Sequence, residues 1–235
     1  MAGWPASAEE LRAAQLDLAR AAPSPWRPVR EPLVGGCFVC FARGKTGAGA
    51  AGDPGWAGAA LADGRTAVVA GPAGAPYEAG LLALREGPLF ERAVRALAER
   101  PEVLIVNATG RDHPRRSGLA LHLGARLDVP TIGVTHRLLM ASGEWPADER
   151  GGRSPIMLHG ETVGAWLRTR PGTRPLAVHP GWRTDVDTGV ELVLATTGQR
   201  RTPEPLRLAR SAARTARALG SKHGSPRPGD EADLE

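Results

Sequence analysis

The chain predicts a single α/β domain: a mixed sheet with helices on both faces. Two observations carry that prediction. Apolar, strand-like runs come first and in hairpins, and then alternate with amphipathic helices, which is the order a mixed sheet requires. The 235 residues, 42% of them hydrophobic, suit one medium-sized core. Phe, Trp and Tyr supply only 4% of the chain, so Leu, Val and Ala must fill that core. There is no internal repeat and no glycine-rich phosphate loop of the Walker or dinucleotide type.

The elements follow in order. Ser7-Ala8-Glu9-Glu10 has the form of a capping box and opens a helix to residue 21, with Leu11 and Leu18 on its apolar face. Pro23, Pro25 and Pro28 break the chain. Residues 33–42, with Phe38, Val39 and Phe41, predict a buried strand. Residues 43–58 are rich in Gly and Ala and read as a flexible loop. Asp63-Gly64 signals a hairpin, with residues 66–70 as its second strand. A helix over 79–100, a strand at 103–106, a helix over 117–127 and a strand at 130–134 come next. A hairpin over 156–168 turns at His159-Gly160, and residues 176–178 form one more strand. Helices over 185–195 and 204–218 close a domain of residues 1–219, leaving 220–235, rich in Ser, Gly, Pro and charge, as a disordered tail.

Net charge is +5, carried mainly by arginine. Such a charge suits nucleic-acid binding, but arginine usage also tracks a GC-rich genome, so charge alone does not decide the matter. Cys37 and Cys40 are the only cysteines and share one strand, without the turn that a redox or zinc knuckle uses. A disulfide framework is excluded and a reducing setting fits. No basic start followed by an apolar run opens the chain, and no segment approaches the roughly 18 uncharged apolar residues of a membrane span. A cytoplasmic monomer without membrane contact is expected.

One block is too specific to be composition: Arg111-Asp112-His113-Pro114-Arg115-Arg116-Ser117-Gly118-Leu119-Ala120, followed by Asp128-Val129-Pro130-Thr131-Ile132-Gly133-Val134. It resembles the central motif of the endonuclease V family, nucleases that recognise deaminated purines such as inosine. Flanking segments agree in order and spacing. Pro76-Tyr77 with Leu84-Arg85-Glu86-Gly87-Pro88 resembles the family's wedge and acidic helix. Arg168-Thr169-Arg170-Pro171-Gly172 is similar to the strand after the central helices, and Thr202-Pro203-Glu204-Pro205-Leu206-Arg207 to the closing helix. The resemblance spans roughly residues 8 to 215. It implies a ribonuclease-H-like fold. In that fold a central first strand and a neighbouring parallel strand each present a carboxylate, a helix adds a third, and together they hold two magnesium ions.

Carried over residue by residue, the family's catalytic set is mostly substituted. The first-strand aspartate falls on Cys37, the helix glutamate on Glu86, the second-strand aspartate on Asn107, the lysine on His136 and the late histidine on Trp182. Only Glu86 keeps its type. Magnesium requires anionic oxygen, so a site of Glu86 and Asn107 is a poor match, with Asp112 as the nearest spare carboxylate in sequence. Cys37, His136 and Glu86 are ligands that zinc accepts, and His136 could alternatively activate Cys37 as a nucleophile. Against both stands the simple reading of a small apolar residue in a buried strand and a surface histidine.

The recognition residues implied by the resemblance are retained. Tyr77 stands where the family inserts an aromatic wedge beside the damaged base. Gly110, His113, Arg115 and Arg116 match the loop that forms the pocket for the extruded base and touches the backbone. Packing is the alternative for Tyr77, and structural loop chemistry for the arginines. Trp182 could stack on a base or block the cleft. Three readings follow: a binder of nucleic acid at deaminated or lesioned bases whose metal-dependent cleavage is lost; an active endonuclease with a site rebuilt from Glu86, Asn107 and Asp112; and an enzyme using Cys37 and His136. Strand alternation predicts that Cys37 and Val39 face Glu86 while Phe38 and Cys40 face away, with Trp182 near the rim of the same pocket.

Overall fold

The computed structural model describes residues 3–42 and 49–220. Helix α1 (Ala8–Arg20) starts at Ser7, whose side chain accepts the Glu10 amide as the capping box predicts. Strands β1 (Val34–Phe41), β2 (Pro54–Leu61) and β3 (Thr66–Pro72) form an antiparallel meander, followed by α2 (Leu82–Arg95). Strand β4 (Val103–Val106), helix α3 (Leu119–Leu127) and strand β5 (Thr131–Thr135) then form a parallel unit with β1. Strands β6 (Arg153–Leu158), β7 (Glu161–Leu167) and β8 (Leu176–Pro180) return antiparallel, and α4 (Val186–Ala195) and α5 (Glu204–Gly220) end the described chain. One eight-stranded mixed sheet results, in the order β3-β2-β1-β4-β5-β8-β7-β6.

Both faces of the central strands are covered, which explains why β4 reads as unbroken Val-Leu-Ile-Val. Leu104 and Val106 join Cys37, Val39 and Phe90 in a core beneath α2 and α3. Val103 and Ile105 join Ile132, Val190 and Leu206 in a second core, beneath α4 and α5. Phe38 and Cys40 pack against Ala209 and Ala213 of α5. The alternation predicted for β1 therefore holds, and Cys37 turns toward the helix that carries Glu86.

The 43–58 loop needs correction. Residues 43–48 lie outside the described part, but 54–58 are strand, paired with β1 and β3. Their glycines have a packing reason. A Cβ on Gly58 would sit 2.3 Å from the Ala209 carbonyl, so glycine and alanine let α5 lie directly on the hairpin. Composition that resembles a linker is here the seat of a helix. Of the tail predicted at 220–235, Gly220 is instead the last residue of α5, and 221–235 lie outside the described residues. Helix α2 is shorter than the 79–100 expected, because residues 78–81 form a turn and Arg100 is spent on the Leu127 and Asp128 carbonyls. Among the described residues no helix is long and apolar enough to cross a membrane.

Candidate nucleic-acid site

The carboxyl ends of β4 and β5 open onto a cavity of about 320 Å³, a volume typical of small-ligand sites. Tyr77, Gly80, Asn107, His113, Thr135 and Leu138 are among its walls. Tyr77 is 49% exposed, so it is not a core residue; it stands in the wall as an aromatic face open to solvent.

The wall opposite β4 is a hydrogen-bonded framework centred on the Gly80 carbonyl. His113 Nε2 donates to it at 3.1 Å, Arg115 Nη2 at 2.8 Å and Gln15 Nε2 at 3.1 Å. The Arg115 amide donates to His113 Nδ1, which fixes the Nε2–H tautomer. Burial holds the His113 imidazole down at about pKa 4, so it works here as a neutral strut. Arg115 Nε also donates to Gln15 Oε1 at 2.6 Å. Arg116 pairs with Glu161 at 2.8 Å and donates to the Leu158 carbonyl. Both arginines are thus engaged inside the protein, which favours the structural reading of that motif. Gly110 serves packing too: a Cβ there would lie 2.1 Å from the Pro180 carbonyl.

Asp112 is fully buried, and its two carboxylate oxygens accept the amides of Leu139, Met140 and Ala141 at 2.7–2.8 Å. It anchors the segment after β5 and is not a spare metal ligand. Cys37 is also fully buried, between Ala59 and Val106 in the register, and burial pushes its thiol well above the usual range. A protonated thiol in an apolar core is neither a nucleophile nor a metal ligand. Among the described residues no three His, Cys, Asp or Glu side chains gather closely enough to hold a metal, so the Cys37, His136 and Glu86 set for zinc is not assembled. Trp182 lies at the far end of β5 from Thr135. Its amide donates to Thr131 Oγ1, its carbonyl accepts the Thr131 amide, and its Cβ abuts Gly124. It does not line the cavity.

What stands beside Asn107 is a cation. Arg210 Nη2 of α5 donates to Asn107 Oδ1 at 3.5 Å, and the guanidinium lies 5.0 Å from the centre of the Phe38 ring. His136 has an exposed residue surface, yet partial desolvation with the charges of Arg201 and Arg210 holds its imidazole at about pKa 4. Glu86 has no hydrogen-bond donor among the described residues, and desolvation lifts its carboxyl to about 7, opposed by Arg85. A pair of magnesium ions requires several anionic oxygens. One half-protonated carboxyl, one amide already bonded to a guanidinium and one neutral thiol do not supply them. Sequence reasoning missed Arg210. Its signal was available in the row Arg207, Arg210, Arg214 and Arg217 on one helical face.

The sheet order and the two-faced parallel core define a ribonuclease-H-like protein. Residues 27–211 match the family profile of endonuclease V, and the chain belongs to that family. It is 47% identical over 156 residues to Endonuclease V of Geotalea uraniireducens and 42% identical over 147 residues to that of Thermus thermophilus. Those matches span 66% and 61% of this chain and 66% and 65% of the relatives, so the chain matches slightly less than two thirds of their length. The structure of Endonuclease V from Streptomyces avermitilis superimposes with a TM-score of 0.82 at 35% identity, covering 95% of this chain and 98% of that one. Endonuclease V of Ciona intestinalis, solved with a 24mer DNA containing an inosine, shares the fold at a TM-score of 0.74 and 20% identity, covering 90% and 98%.

Proposed function

We propose that this chain binds nucleic acid at an extruded, deaminated base and does not cleave it by magnesium chemistry. Family membership supports the ligand, and the cavity supports the mode. An unstacked base needs an aromatic face to replace its lost neighbour and a polar pocket to read its edge. Tyr77 supplies the face, while the side-chain NH2 of Asn107 supplies a donor. The framework around Gly80 keeps the opening rigid, so little ordering is required when a base enters.

The observation that carries the loss of cleavage is the Asn107–Arg210 contact. Where the family pattern has a metal-binding carboxylate, this chain has an amide whose oxygen faces a guanidinium. A guanidinium can hold a phosphate, but it cannot lower the pKa of a water to make a hydroxide. The test is incubation of labelled inosine-containing duplex and single strand with the purified protein, in magnesium and in manganese. Retained preferential binding with no nicking is expected. Turnover comparable with that of an intact family member, abolished by Glu86→Gln, would overturn the proposal.

A further inference from the structure

Beside the base-sized cavity runs a second concavity that the recognition reading does not use. It is an open groove of about 820 Å³ along the outer face of α5, between that helix and Ala42 at the end of β1. Arg207, Arg210, Arg214 and Arg217 all line it. At 1.5 Å per residue the row is about 15 Å long, the axial length of about four nucleotides in one strand.

The arginines are held in a way that ordinary surface arginines are not. Arg210 and Arg214 both lie over the Phe38 ring, at 5.0 and 5.7 Å from its centre. That ring gathers two like charges on one platform. Among the described residues neither has a carboxylate partner, and Arg210 Nε is buried without a hydrogen bond. Arg207 is paired with Glu204, and Arg217 donates to the Phe41 carbonyl. Desolvation and the mutual repulsion of Arg210 and Arg214 weaken the hold of Arg210 on its proton, as expected of charge lacking an anion. The two concavities meet at Asn107, which lines the cavity and bonds to Arg210.

We propose that the α5 groove is a phosphate-binding track that works without metal: it takes the backbone of the strand whose base occupies the cavity, with Arg210 and Arg214 clamping the phosphates nearest Asn107. This deepens the proposed function and rests on it for the identity of the ligand. A guanidinium presents paired donors to phosphate oxygens and supplies part of the charge that a dication would bring. Binding should therefore survive complete removal of divalent cations, and its salt dependence should report the arginines.

The test uses the full chain, an unmodified single-stranded 12-mer, the same 12-mer with one inosine, and inorganic tripolyphosphate, all in EDTA. Anisotropy titrations over a range of salt give the slope of log affinity against log salt, to which each phosphate contact on a single strand contributes about 0.7. Arg214→Gln and the double variant Arg210→Gln/Arg214→Gln should lower that slope by about 0.7 and about 1.4. Low-salt affinity should fall by about tenfold or more in the double variant, with the ratio of inosine to unmodified binding unchanged. Tripolyphosphate should compete with wild type and fail to compete with the double variant. Because Arg214 is exposed, its substitution tests the track without disturbing the core. An unchanged slope in both variants, or loss of wild-type binding in EDTA, overturns the track even if inosine preference persists. Slope effects without any inosine preference leave the track standing and overturn the base-recognition reading. No binding to any of the three probes overturns both.

Discussion

The two sides of Asn107 are built on opposite principles. Toward Gly80 the wall is held by hydrogen bonds: Gln15, neutral His113 and Arg115 converge on one carbonyl, and each donor has its acceptor. Toward α5, Arg210 and Arg214 share a phenyl ring without a carboxylate partner among the described residues, and desolvation with the charges of Arg201 and Arg210 holds His136 neutral. A saturated network fixes a shape, whereas an unsaturated one waits for a ligand. The comparison teaches that the two walls are held by separate sets of contacts. The framework around Gly80 shares no side-chain hydrogen bond with Arg210 and Arg214 among the described residues.

The largest effect should come from the buried anchor on the saturated side. Asp112→Ala leaves three backbone amides without their acceptor and should cost about 3–5 kcal/mol, read from urea unfolding. A loss below about 1 kcal/mol would mean that the segment after β5 is held by something else.

Next comes Glu86, which probes the other side. Its folded pKa of about 7 lies above the ordinary 4.5, so the folded protein binds that proton more tightly than the unfolded chain does. Glu86 therefore costs nothing below pH 4.5. Its penalty grows between 4.5 and 7 and is complete above 7, at about 3 kcal/mol. Glu86→Gln should remove that decline and raise stability at pH 8 while leaving pH 4.5 nearly unchanged. Magnesium should not restore the lost stability of wild type. A magnesium-dependent gain at pH 8 that vanishes in Glu86→Gln would show that a dication pairs with this carboxyl after all.

Smaller changes sharpen the contrast. Gln15→Ala removes one donor to Gly80 and one acceptor from Arg115, and should cost about 1–2 kcal/mol in thermal unfolding together with some inosine preference. Tyr77→Ala should cost under about 0.5 kcal/mol of stability, since the ring is half exposed, yet remove most discrimination between inosine and unmodified DNA in a direct binding assay. Equal affinity for both ligands in wild type and variant would exclude Tyr77 as the wedge.

Much of this was legible in the chain itself. The run from Arg111 to Ala120 announced the family, and the alternation along β1 correctly turned Cys37 toward α2. The hairpin at Asp63-Gly64 marked the end of β2, but residues 54–58 of that strand were not legible, because Pro54, Gly55 and Gly58 look like a linker until α5 is seen lying on them. The arginines that sequence assigned to phosphate, Arg115 and Arg116, have internal partners that no local pattern reveals. Those of α5 were visible as a helical row, but their meaning depends on Phe38 and Asn107, far away in sequence. Long-range contacts of that kind are what a one-dimensional reading lacks.

The seating of α5 on β1 and β2 also has a consequence for how the protein is made. Phe38, Cys40 and Ala60 leave the ribosome well before the helix that covers them with Ala209 and Ala213. At bacterial-type synthesis rates the intervening stretch of about 150 residues takes roughly 10–30 s. Throughout that interval a glycine-rich antiparallel hairpin carries one bare apolar face. The nascent chain is then most prone to pair with its neighbours on a polysome, and premature termination anywhere before residue 204 should yield aggregates in place of a smaller folded domain.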